Sequence, residues 1–176
     1  MSVPRPPEPC LLVLGILRAP SVPLAEILAA VEERFGPVGP RSPERTFTHS
    51  AYYDGEMGGR PERSYACLAA SCDPGELAGV KLATNELEGR WAEGGRRKVN
   101  LDPGTLNLVQ LVLASGKPAA HRVYLGRGIY AEIEYTYERG SFRPLPWTYP
   151  DYGEPSTLAY FNELRESYRL ARKEVS

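Results

Sequence analysis

The sequence predicts an α+β fold: a ferredoxin-like βαββαβ core, an antiparallel sheet with its helices on one face, followed by a C-terminal extension of helix, β-hairpin and helix. Three observations predict it. Residues 10–17, CLLVLGIL, form a nearly continuous apolar run followed at once by an amphipathic stretch. Two segments rich in β-formers precede a second helix signal at Asp73-Pro74-Gly75. The chain then returns as a strand over residues 96–101, completing the order strand, helix, strand, strand, helix, strand. The right-handed crossover rule makes a four-stranded antiparallel sheet the natural solution.

The elements follow in order. Residues 1–9, rich in proline, read as a flexible arm. The run 10–17 reads as a central strand buried on both faces. A helix over residues 23–35 places Leu24, Ile27, Leu28, Val31 and Phe35 on one stripe. Ser21 suits its cap, Pro23 its first turn, and Gly36-Pro37 its end. Residues 46–53, TFTHSAYY, alternate as a strand, and Asp54-Gly55 opens a loop. Residues 64–71 form the next strand. At Asp73-Pro74-Gly75 the carboxylate caps a helix whose inner side carries Leu77, Val80, Thr84, Leu87 and Trp91.

Beyond residue 101 the extension begins. A second Asp-Pro-Gly, at 102–104, precedes an apolar run of about ten residues. Periodicity does not separate a buried helix from a buried strand there, and the cap chemistry favours a helix over 105–115. HRVYLGRGIYAEIEYTY is a β-hairpin around Gly126-Arg127-Gly128. A strap rich in aromatic residues and proline, including Trp147–Tyr152, leads to a final helix from about Ser156, whose basic end complements its dipole. The parts 10–101 and 102–176 are read as one structural domain.

Composition narrows the function classes. Lys+Arg number 21 and Asp+Glu 22, a net charge of −1, which argues against holding nucleic acid by bulk electrostatics. No run approaches the roughly 18 apolar residues of a membrane span. Three cysteines without a CxxC read as reduced, buried thiols, and the cytoplasm is the expected compartment. No HExxH or HxH spacing supports a metal site, and the sequence leaves any cofactor unknown.

The polar residues concentrate between Lys98 and Glu134. The leading reading is a small or phosphorylated ligand bound in a cleft between core and extension, with Lys81, Asn85, Asn100, Lys117, His121 and Arg122 as contacts. Lysine and arginine would meet an anionic group, and asparagine would orient it. An alternative is a phosphoesterase-like hydrolase with His121 as acid–base group and His49 as partner. His49-Ser50-Ala51-Tyr52 and His121-Arg122-Val123-Tyr124 echo the paired H-x-[ST] units of two-histidine phosphoesterases, but Ala51 and Val123 stand where hydroxyls should hold phosphate. A third reading is an interaction module docking through the sheet face or the strap. Structural readings stand beside these. His121 is satisfied by a carboxylate such as Glu132, His49 lies on an apolar face, Asp102 is a helix cap, and in a strand His121 and Arg122 point to opposite faces.

KLATNELEG, VNLDPG, LVLASGK, HRVYLGRGIYAEI and WTYPDY together make the chain resemble the uncharacterised prokaryotic domain-of-unknown-function family 4416, over nearly its whole length. The resemblance implies no established activity, although members are sometimes labelled GTP-binding. A P-loop needs GxxxxGK[ST]. Here Gly116-Lys117 is the sole GK, with Leu111 in the first glycine's place and Pro118 in that of the hydroxyl residue. The sequence therefore carries no P-loop for GTP.

Overall fold

The computed structural model describes residues 3–50 and 52–175. Among these, four helices and nine strands form one mixed α+β architecture around an antiparallel sheet. The strands are β1 (Cys10–Arg18), β2 (Val38–Arg41), β3 (Arg45–Thr46), β4 (Glu62–Cys72), β5 (Val99–Leu106), β6 (Gln110–Ser115), β7 (Val123–Gly126), β8 (Ile129–Glu138) and β9 (Ser141–Pro144). The helices are α1 (Leu24–Phe35), α2 (Tyr52–Met57), α3 (Leu77–Glu88) and α4 (Pro155–Val175). The sheet runs β2-β4-β1-β5-β6-β8-β7, with β3 also on β4 and β9 also on β8.

β1 is the apolar run, and burial on both faces explains its composition. Leu12, Leu14 and Ile16 join Ala66, Leu68, Val99 and Leu101 beneath Ile27, Ala30 and Val31 of α1 and Leu87 of α3. On the other face Val13 packs with Tyr65, Cys67, Leu106, Leu113 and Tyr135 under Phe161 and Leu164 of α4. The period-2 alternation of a strand thus serves two cores at once. All three cysteines are free, with Cys10 and Cys67 buried.

The structure corrects three expectations. The sheet is larger than the four strands anticipated, because the extension adds β6 to β9 to it. The run 105–115 is not a helix: β5 continues through Asp102-Pro103-Gly104 to Leu106, and β6 pairs back on it. Asp73 does cap, accepting from the Gly75 N–H at 2.7 Å, but Asp102 is a strand residue opposite Gly15. Tertiary pairing decides between two identical tripeptides, because residues 102–104 have β1 as a partner. Residues 46–53 are not a strand either. Pairing with β4 stops after Thr46, Phe47 turns into the core, and α2 starts at Tyr52. Ala51 lies outside the described residues.

β5 and β6 are paired only from Gly104↔Leu113 to Leu106↔Leu111. Before that point they part, and the edge of β5 is met by α3 instead. Lys81 Nζ donates to the Leu101 carbonyl at 2.7 Å, and Glu88 Oε1 accepts from the Leu101 N–H at 2.8 Å. Residue 103 directs its backbone to the same edge, and proline there has no N–H to leave unsatisfied. The fork between β5 and β6 opens the cleft described next.

Candidate functional site

Two adjoining cavities lie at this fork. The first, about 330 Å³, is lined by Lys81 and Asn85 of α3, Asn100 and Asp102 of β5, and the Ser115-Gly116-Lys117 turn after β6, among others. The second, about 320 Å³, is lined by Phe47, His49, Arg63, Pro150 and Asp151, among others. Tyr53, Asp102, Lys117 and Tyr149 line both. The size is within the range of small-molecule sites.

The floor is an ion network built across β1. Arg63 on β4 and Asp102 on β5 flank the central strand, and Gly15 lies between them. A Cβ at Gly15 would come within 3.2 Å of the Arg63 guanidinium and 2.4 Å of the Tyr152 hydroxyl. The missing side chain therefore lets Arg63 reach over β1. Arg63 Nη1 donates to Asp102 Oδ2 at 3.1 Å and Nε to Asp151 Oδ2 at 2.6 Å, with the Tyr65 and Tyr152 rings near its guanidinium. The Tyr65 hydroxyl also donates to Asp151 Oδ2, at 3.0 Å.

From Asp102 the network continues outward. Asn100 Nδ2 donates to Asp102 Oδ1 at 2.8 Å, and Arg97 Nη1 to Asn100 Oδ1 at 3.1 Å. Arg97 also grips Glu56 through two nitrogens. Burial opposes the charge on Asp102, yet Arg63, Lys81 and the Asn100 amide outweigh it and hold the carboxyl below its usual range. Glu88 goes the other way: burial raises it despite Lys81 and the Leu101 N–H. The Arg97 hydrogen bond holds Glu56 low.

The strap closes the far wall and is pinned to β8. Trp147 Nε1 donates to the Ile133 carbonyl at 2.8 Å, Thr148 Oγ1 to the Glu134 carbonyl at 2.6 Å, and the Tyr149 N–H to Glu134 Oε2 at 3.2 Å. Glu134 is fully buried, and its Oε1 has no hydrogen-bond partner among the described residues. Burial first, then the neighbouring Glu132 charge, pushes its pKa up to about 8. At neutral pH it is mostly the uncharged acid.

Four of the six anticipated contacts, Lys81, Asn85, Asn100 and Lys117, line the first cavity. His121 and Arg122 line neither. They sit in the turn before β7, where the two-faced alternation of a strand does not apply, and they hold the same carboxylate. His121 Nε2 meets Glu132 Oε2 at 2.9 Å, and Arg122 Nη2 donates to Oε1 at 2.9 Å. His121 also stacks on Trp147, with ring centroids 5.2 Å apart. Arg122 braces both walls, donating to Ser115 Oγ, the Lys117 carbonyl and the Tyr149 hydroxyl, each at 2.8 Å. His49 lines the second cavity and is tied to Glu154. Of the two histidines, only His49 lines either of these two cavities. Arg63, Tyr53 and Tyr149 were not anticipated; a glycine inside an otherwise apolar strand is the sequence signal that a neighbour approaches closely there.

A family model for a domain of unknown function, DUF4416, matches residues 8–168. The chain belongs to the DUF4416 family. The match spans every residue lining both cavities, so the cleft lies wholly within the DUF4416 region. Neither the curated proteins nor the solved structures gave a match. Among the described residues of this DUF4416 domain, no group of three or more His, Cys, Asp or Glu is placed to hold a metal ion. No helix among them is long and apolar enough to cross a membrane.

Proposed function

We propose that the fork between β5 and β6 binds a small phosphorylated ligand, with Lys117 as the contact to its anionic group. One observation carries this reading. Of the cations lining the cleft, Arg63, Lys81 and Arg97 are each committed to a carboxylate. The exposed Lys117 ammonium, at the junction of both cavities, has no hydrogen bond or ion pair among the described residues. Asn85 and Asn100 would orient the ligand, Lys81 acts through the β5 edge, and Arg122 positions the Lys117 turn. The strand order β2-β4-β1-β5, with α1 and α3 against one face, supports reading residues 10–101 as a ferredoxin-like unit and 102–176 as its extension.

The test is the melting temperature against nucleotides, cyclic phosphates, sugar phosphates and divalent metals. A ligand at 100 times its Kd adds about 2.7 kcal/mol, or roughly 5–10 °C for a chain of this size. The shift should appear for a phosphorylated compound and disappear in Lys117→Ala. A flat panel would sink the proposal.

A second reading has its own observation. Val123, Tyr124, Leu125, Ile133 and Trp147 are exposed around the β7 edge, which supports contact with another protein. A Val123→Glu variant that binds ligand normally but loses a co-purifying partner would favour it.

A further inference from the structure

The two cavities differ in chemistry. The first is walled by amide, hydroxyl and charged groups: Lys81, Asn85, Asn100, Ser115 and Lys117. The second is lined by the aromatic side chains of Phe47, His49, Tyr53 and Tyr149, together with Asp151. Asp151 is only 3% exposed. Its Oδ2 takes the bonds from Arg63 and Tyr65, which leaves Oδ1 with none among the described residues. Asp151 lines this cavity, and a carboxylate oxygen with no protein donor can accept one from a ligand.

Resting on the reading of this cleft as a ligand site, we infer that its ligand is bipartite: a flat nitrogen heterocycle bearing N–H donors in the aromatic cavity, joined to one phosphate at Lys117, the chemistry of a nucleoside 5′-monophosphate. Aromatic side chains accept any planar ring face. The Asp151 oxygen selects rings that present N–H groups. Lys117 lines both cavities and so meets a phosphate attached to the ring by a short linker. The charge count limits that phosphate to one. Glu88 and Asp102 also line the first cavity, and a longer polyphosphate would be driven against them, since among the described residues lining the cleft no second cation lacks a carboxylate partner.

Calorimetry on the full chain tests this with the four common ribonucleoside 5′-monophosphates, ribose 5-phosphate, adenosine, guanosine and ATP. At least one monophosphate should bind tenfold or more tighter than ribose 5-phosphate and than its nucleoside, and ATP should bind no tighter. Lys117→Ala should erase the advantage over the nucleoside. Tyr149→Leu should erase the advantage over ribose 5-phosphate, while Tyr149→Phe, which keeps the ring, should retain it. If ribose 5-phosphate binds as tightly as every monophosphate, and does so through Lys117, the cleft reading stands and the bipartite ligand is refuted. ATP binding more than tenfold tighter than AMP would refute the limit to one phosphate. If none of these compounds binds, both readings fail.

Discussion

Glu134 gives the most quantitative prediction. Replacing it by glutamine keeps the shape and removes the titration. In the folded protein its carboxyl is raised from 4.5 to about 8 by burial and by Glu132, whereas in the unfolded chain it returns to an ordinary value. Between those limits the native state binds more protons than the unfolded state. The unfolding free energy therefore falls as pH rises. The contribution is fully present below about pH 4.5 and fully lost above about pH 8. At 1.36 kcal/mol per unit the whole loss is about 3–5 kcal/mol, of which about 2.7 kcal/mol falls between pH 5.5 and 7.5. Urea unfolding at those two pH values, followed by tryptophan fluorescence, should show a midpoint drop about 1–3 M larger in the wild type than in Glu134→Gln. Subtracting the variant removes the background of every group not coupled to Glu134. Parallel pH profiles in the two proteins would refute the reasoning.

Further expectations follow from the same network. Arg63→Ala removes the ion-pair partner of the buried Asp151 carboxylate and should cost about 3–5 kcal/mol, read from chemical unfolding; a loss below 1 kcal/mol would contradict the network. Gly15→Ala drives a methyl group to 2.4 Å from the Tyr152 hydroxyl and should cost about 1–3 kcal/mol. Adding Tyr152→Phe should return part of that loss, a coupling visible in a double-mutant cycle. Lys117→Ala touches an exposed side chain and should change stability by no more than about 0.5 kcal/mol, so any ligand effect it has is not an effect on folding.

The legible parts of the fold were those whose signal is local. β1 and α1 declared themselves by a switch from a continuous apolar run to a helical stripe. The tip of the β7–β8 hairpin followed from its glycines, and α3 from Asp73. The run 105–115 was ambiguous because an apolar decapeptide suits a buried helix or a buried strand, and only pairing with β1 and β8 decides it. Residues 46–53 have the composition of a strand, but β4 offers β3 only two partners.

The site was half legible for a similar reason. Lys81 and Asn85 share a helix face, and Asn100 and Lys117 flank the fork, so their gathering could be read from elements and order. Arg63, Asp102 and Asp151 come together across 39 and 88 residues, and no spacing rule carries that information. The placement of His121 and Arg122 failed on one physical point. A turn closed by the Arg122 N–H on the Ala119 carbonyl replaces the strand whose alternation would have separated them.

Chemical-shift mapping tests the central claim most directly. The ¹⁵N-labelled protein would be titrated with ribose 5-phosphate, and the backbone amides and lysine ammonium groups followed. Saturable shifts should concentrate at Ser115–Lys117, Asn85, Asn100 and Tyr149 in the wild type and vanish in Lys117→Ala. Shifts that scatter over surface lysines and arginines, or that persist unchanged without Lys117, would contradict the assignment of the β5–β6 fork as the binding site.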